Sequence, residues 1–319
     1  MALTLLQIID AACGELGLLQ PATAATSTDL QTIQLFNLTN REIDALRRTH
    51  QWTALQSLFT LNVTTPTTAT GSTTTNSNVL TNMSAVVPVT ANIYVCSGAG
   101  IPVAARVTAV STAGSTISLD MAATATATGV TFTFAQDTYP GPTDYDFTIN
   151  QTGWDRTNRW QLLGPSSPQQ DEWHRSGIVT TGPRRFFRWV GSATAGTYRL
   201  WPPPAVVGTP FQIAWEYIST YTCKSTAGAY QNFFLADGDT PILDSQAIIL
   251  GLKWRFLQAK GFPTAQAMQL EYIDYVKQLI ARDGAAPTLS MQKFTYPLLI
   301  TPANVSDGFW PGPTGANTS

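Results

Sequence analysis

Charge is scarce in this chain. Asp, Glu, Lys and Arg make up 12% of its 319 residues, about half the roughly 25% of an ordinary soluble domain. The 18 basic and 20 acidic residues nearly cancel, leaving a net charge of −2. That balance excludes a basic nucleic-acid binder and an acidic tail. Cysteine is also scarce. Cys13, Cys96 and Cys223 have no metal-ligand spacing, and their odd number argues against a disulfide framework, so they read as buried free thiols. Only His50 and His174 are available for a histidine-rich metal site, and no helical i, i+4 pair exists. No apolar run approaches the roughly 18 residues of a membrane span. The N-terminus lacks a basic stretch and meets Asp10 early, which does not fit a signal peptide. The expectation is a chain made and assembled in a reducing cytoplasm, with no membrane partner.

Catalytic signatures are missing as well. There is no phosphate-binding loop ending in Gly-Lys-Ser/Thr and no Gly-x-Ser-x-Gly. Asp237-Gly238-Asp239 lacks EF-hand spacing, and helix capping is the better reading of that acidic group. A glycosidase needs two placed carboxylates, and nothing singles out a pair among 20 acidic residues. The expectation is no enzyme, no metal and no cofactor.

What is present is apolar and aromatic. Hydrophobic residues are 44% and aromatics 10%, with nine Trp, so the chain buries a core. A folded chain with so few surface charges can hide surface against further copies of itself.

The first fifty residues read as two helices. Thr4 caps the first, whose stripe is Leu5, Ile8, Ile9, Ala12, Leu16 and Leu19, with Gly17 and Pro21 ending it. Thr28 and Gln31 form a capping-box pair for the second. Leu30, Ile33, Leu35, Phe36, Leu38, Ile43 and Leu46 line it, and Arg47 and Arg48 suit its last turn. From 60 to 134 the chain turns rich in Thr, Ala, Ser and Val, with Arg106 and Asp120 its only charges. Alternation in 92–96, 106–110 and 130–134 predicts a β domain of four to six strands. Residues 64–78 read as a mobile loop or long hairpin arm.

Tyr139-Pro140-Gly141-Pro142 reads as a rigid break. Aromatic strand-like pieces follow at 185–190, 196–201 and 211–217. Two helices return. Thr240 with Pro241 reads as the start of the first, Leu243, Ala247, Leu250, Trp254 and Leu257 as its seam, and Gly261 as its end. Thr264 starts the next, with Met268, Tyr272, Tyr275 and Leu279 on one stripe. Residues 285–319 have five Pro and little periodicity. Their apolar groups are of a kind that orders against a partner.

The fold class expected is α+β: a helical bundle from the N-terminal and C-terminal helix pairs (1–55 and 238–284), with a large inserted antiparallel β region and an extended C-terminal tail (285–319). The insert divides into a Thr-rich β domain (56–136) and an aromatic-rich region (137–237). Trp254, Leu257, Tyr272 and Tyr275 are the expected bundle-packing residues. The densest basic group, Arg184, Arg185 and Arg188 with Arg156 and Arg159 upstream, could meet DNA phosphates. The plainer reading is pairing with carboxylates of a neighbouring subunit, or cover for nearby aromatics.

Several residue groups carry a resemblance: Trp154-Asp155-Arg156 with Trp160, Leu163-Gly164-Pro165 and Pro168; Pro183-Arg184-Arg185-Phe186 with Arg188; Leu200-Trp201-Pro202 with Pro204; Glu216-Tyr217-Ile218-Ser219; and Ile242-Leu243-Asp244 with 250–256. Over residues 139–282, with the N-terminal helices by position, the chain resembles the head-to-tail adaptor proteins of short-tailed bacteriophages, also called tail tubular or connector proteins. The Thr-rich insert lies outside the shared part.

The resemblance implies a structural virion protein at the head-to-tail junction. It implies a homo-oligomeric ring, a dodecamer of about twelve copies, closed by heterologous contacts. Its partners would be the portal protein above and the tail nozzle protein below, with genome DNA passing through without sequence-specific binding. Tyr296, Leu298, Leu299, Phe309 and Trp310 of the tail are the candidate portal contacts. The rival readings are a glycan-binding or glycan-degrading tail module, and another structural tail component such as a nozzle subunit.

Overall fold

Helix α1 (Leu5–Leu16) starts where its sequence announces. The Thr4 side chain accepts from the Gln7 N–H, and Gln7 answers as a capping box. Its end is Gly17, in the left-handed region at φ 66°. Helix α2 (Leu30–Thr49) starts one residue later than the Thr28 box predicts. Asp29 is the cap and accepts from the Thr32 N–H. The computed structural model describes residues 3–86, 88–176, 185–191, 196–204 and 211–284. The expected tail lies outside these residues.

Among the described residues strand and helix are nearly equal, at 30% and 29%, and the paired strands are antiparallel sheets. Strand Phe211–Ser219 organises a five-stranded sheet. It pairs along one edge with Gln56–Val63 (Val63 opposite Phe211), and along the other with Trp154–Asp155 and Tyr145–Thr148. Trp160–Gln161 closes a hairpin onto Trp154–Asp155. A three-stranded sheet of Phe186–Val190, Thr197–Trp201 and Thr138–Pro140 faces the same aromatic core. Tyr139, Phe187, Tyr198, Phe211, Trp215 and Tyr217 fill that core, and Tyr198 stacks on Trp215 with ring centroids 4.2 Å apart. Tyr139-Pro140 is therefore part of a strand rather than a break.

The Thr-rich region has a core of its own, with Phe132, Phe134, Ile117, Leu119, Val107 and Cys96 buried together. Two three-stranded sheets enclose it. The stretch expected as a mobile loop or long hairpin arm holds strand Thr67–Thr73, paired along Ala127–Gln136 and turning back through Ser72 opposite Thr81. Small residues make this possible: Ala69 is buried, and Gly71 lies under Met83 and Phe132 where no Cβ would fit. Strand Gln56–Val63 does not join this region, because its register commits it to Phe211–Ser219.

The expected bundle of two helix pairs is not the architecture found. Helix α4 (Ser245–Lys260) is a hub that packs against α1, α2 and α5 (Ala265–Arg282), while α1 and α2 scarcely touch. The fifth helix, α3 (Pro168–Arg175), stands among the β elements. The physical reason is that α4 is buried nearly all round, from Ala247 to Trp254 without interruption. A helix apolar on every side needs neighbours on every side. Residues of the β region, Ile218, Cys223 and Phe234, complete the same core, so β structure is a wall of the helical unit as well as an insertion. Thr240–Pro241 pairs with Cys223–Lys224 instead of starting α4, and the α4 cap is Asp244.

Candidate interaction surfaces

Of the residues expected to pack the helices, Trp254 and Tyr272 are buried with ring centroids 6.1 Å apart. The Tyr275 hydroxyl donates to Asp244 Oδ1 at 3.1 Å, so α5 holds the residue that caps α4. Leu257 is half-buried. The Arg255 guanidinium lies 4.6 Å over the Trp254 ring and pairs with Glu42 of α2. Lys253 pairs with Glu15 of α1. Trp254, Tyr272 and Tyr275 therefore act within the helical unit, while Leu257 is not among the residues that pack its core. Tyr296, Leu298, Leu299, Phe309 and Trp310 lie outside the described residues.

The acidic loop before α4 holds the first helix in place. Asp237 Oδ1 accepts from the Ala24 and Ala25 N–H groups at 2.9 and 2.7 Å. Its carbonyl, and that of Asp239, accept from Leu6 and Leu5 N–H in the first turn of α1. Asp239 Oδ2 accepts from Leu235 and Ala236 N–H and from Gln231. These carboxylates order a loop, whereas a helix cap was expected. Among the described residues no group of three His, Cys, Asp or Glu could hold a metal ion.

The basic group splits. Arg185 lies 4.0 Å over Phe211, donates to the Pro202 carbonyl at 3.0 Å and faces Asp155 at 3.6 Å. Burial lowers its pKa, against the pull of Asp155. Arg188 instead pairs with Asp171 of α3 at 3.2 Å. Both find carboxylates inside this chain, and Arg184 lies outside the described residues. Three motif segments far apart in sequence thus meet on one side of the aromatic core through Asp155, Arg185 and Pro202. His174 is in α3, not in a strand or loop, and stacks on Phe186 at 3.8 Å.

Arg156 and Arg159 remain exposed. With Trp154, Gln151, Thr152 and Glu216 they line a cleft of about 590 Å³ on the five-stranded sheet. No sequence signal pointed to this cleft, because strand pairing alone brings 151–159 beside Glu216.

The helical unit leaves large apolar side chains uncovered. Leu19 is 91% exposed, Leu30 83%, Leu235 70% and Leu270 64%. Helix α5 buries only Tyr272 and Val276, and Phe262 and Ile273 also face outward. Among the described residues no helix is long and apolar enough to cross a membrane. No protein-family model and no curated protein matches the sequence.

Proposed function

We propose that the protein is a structural head-to-tail adaptor of a short-tailed bacteriophage, without enzymatic activity. In this reading it forms a ring of about twelve copies under the portal and joins it to the tail nozzle around the DNA channel. The observation that carries the reading is the apolar surface of the helical unit. Leu19, Leu30, Leu235, Phe262 and Leu270 are exposed in a single chain that has only 12% charged residues. Large exposed apolar surface marks interaction sites, and a ring subunit covers such surface on both flanks. The meeting of Asp155, Arg185 and Pro202 gives the adaptor-like motifs a structural role, which suits a protein whose work is geometric.

The test is the native mass of the full chain, alone and mixed with its portal protein. A portal-dependent ring of about twelve copies, roughly 410 kDa for a 34.4 kDa chain, is expected. Removing residues 285–319 is expected to abolish portal binding while leaving the β regions folded. A chain that ignores the portal, or a truncation that binds it undiminished, sinks the assignment. The cleft beside Trp154 favours the rival reading of a glycan-binding tail module, since an aromatic face among polar side chains suits a sugar ring. That reading predicts a portal-indifferent trimer or monomer.

A further inference from the structure

Two aspartates and four arginines form a connected cluster between α3, the three-stranded aromatic sheet and the Thr-rich region. Asp137 is fully buried and accepts from Arg106, from Arg175 at 3.0 Å and from Thr138 at 2.7 Å. Asp171, also buried, accepts from Arg175 at 3.2 Å, from Arg188 at 3.2 Å and from Arg199 at 3.4 Å. No other carboxylate among the described residues pairs with these four arginines. The flanking stretches 177–184, 192–195 and 205–210 contain no Asp or Glu. Among the described residues the cluster therefore carries two positive charges in excess.

The excess is concentrated on two residues. Arg188 and Arg199 stand directly opposite each other in the antiparallel register of Phe186–Val190 and Thr197–Trp201. Like charges in that position repel. Both lean on the same oxygen, Asp171 Oδ2, and each has further N–H donors to place. The Nε of Arg199 is buried without a hydrogen-bond partner among the described residues, an expensive condition for a charged donor. Burial lowers the Arg199 pKa, and the charges of Arg106 and Arg175 lower it further. The two side chains are only 22% and 20% exposed, so water satisfies them in part and a small ion can still reach them.

We propose that Arg188 and Arg199 form a binding site for a doubly charged oxyanion of the phosphate class. Two adjacent guanidinium forks match tetrahedral oxyanion geometry. A dianion cancels the excess charge and supplies acceptors to the unused donors. The site is independent of the adaptor reading, because it rests on charge and register within one chain.

The experiment is calorimetric titration of the full-length protein with inorganic phosphate, in slightly alkaline buffer with chloride holding the ionic strength constant. One phosphate per chain is expected, with affinity falling about tenfold or more in the Arg188→Met/Arg199→Met double variant. Asp171 keeps Arg175 in that variant, so the fold is expected to survive, as circular dichroism would check. The single Arg199→Met variant is the second test and is expected to weaken binding while retaining two arginines on Asp171. No phosphate binding by the wild-type chain, or unchanged affinity in a folded variant, overturns the proposal.

Discussion

Gly251 occupies the middle of α4, where Glu42 of α2 lies across it. A Cβ at that position would overlap the Glu42 side chain. Glu42 is fully buried and pairs with Arg255. Burial raises its pKa, opposed by the Arg255 charge. Its Oε1 has no hydrogen-bond partner among the described residues. Such a pair has little freedom to move, because removing either charge strands the other. Gly251→Ala is therefore expected to destabilise the helical unit by about 1–3 kcal/mol through overpacking, despite the better helix propensity of alanine. A urea midpoint equal to wild type would show that α2 and α4 separate freely at this point.

At the scale of elements, α4 depends on one residue twice. Asp244 accepts from the Ala247 N–H at 2.9 Å and from the Tyr275 hydroxyl. Asp244→Ala is expected to cost about 1–2 kcal/mol by loss of the cap. Tyr275→Phe, which keeps the cap, should cost less, and equal costs in thermal unfolding would contradict this division. That residues 245–260 form a helix was legible in sequence because helical signals are local, but the single seam expected on it was not what the structure shows, since α4 is buried nearly all round. The start of α4 was not legible, since Thr240-Pro241 carries a good local helix-start signal but pairs with Cys223–Lys224, residues distant in sequence. The choice between loop and hairpin arm for 64–78 stayed open for the same reason: a run of threonines has no outward sign of the partner that Thr67–Thr73 meets at 127–136. The basic group shows how register decides a site. Arg185 stands just before strand Phe186–Val190 and Arg188 within it, and each meets a different carboxylate. The opposition of Arg188 and Arg199 exists only once the two strands are aligned.

Across the whole molecule, each core holds acids that ordinarily titrate in alkali but are here kept protonated. Burial pushes the Cys96 thiol of the Thr-rich core up to about 12 and the Cys223 thiol of the helical core up to about 11, and raises Cys13 above its ordinary value. In the aromatic core Tyr139, Tyr198 and Tyr217 are raised above 10.0, chiefly by burial. In the unfolded chain these groups lose protons from about pH 9 upward. The native state then binds more protons than the unfolded one, and stability falls as pH rises through that range. Below pH 8 both states are protonated and these groups contribute no slope. Each group titrating only in the unfolded state removes about 1.4 kcal/mol per pH unit. Two thiols alone should therefore take about 4–5 kcal/mol between pH 8 and pH 10.5. The check is the urea midpoint at the two values under reducing conditions. Replacing Cys96 and Cys223 by alanine should lower stability at pH 8 through lost packing but flatten the alkaline decline. An undiminished decline in that variant would assign it to the tyrosines, and a midpoint independent of pH would refute the burial of all of them.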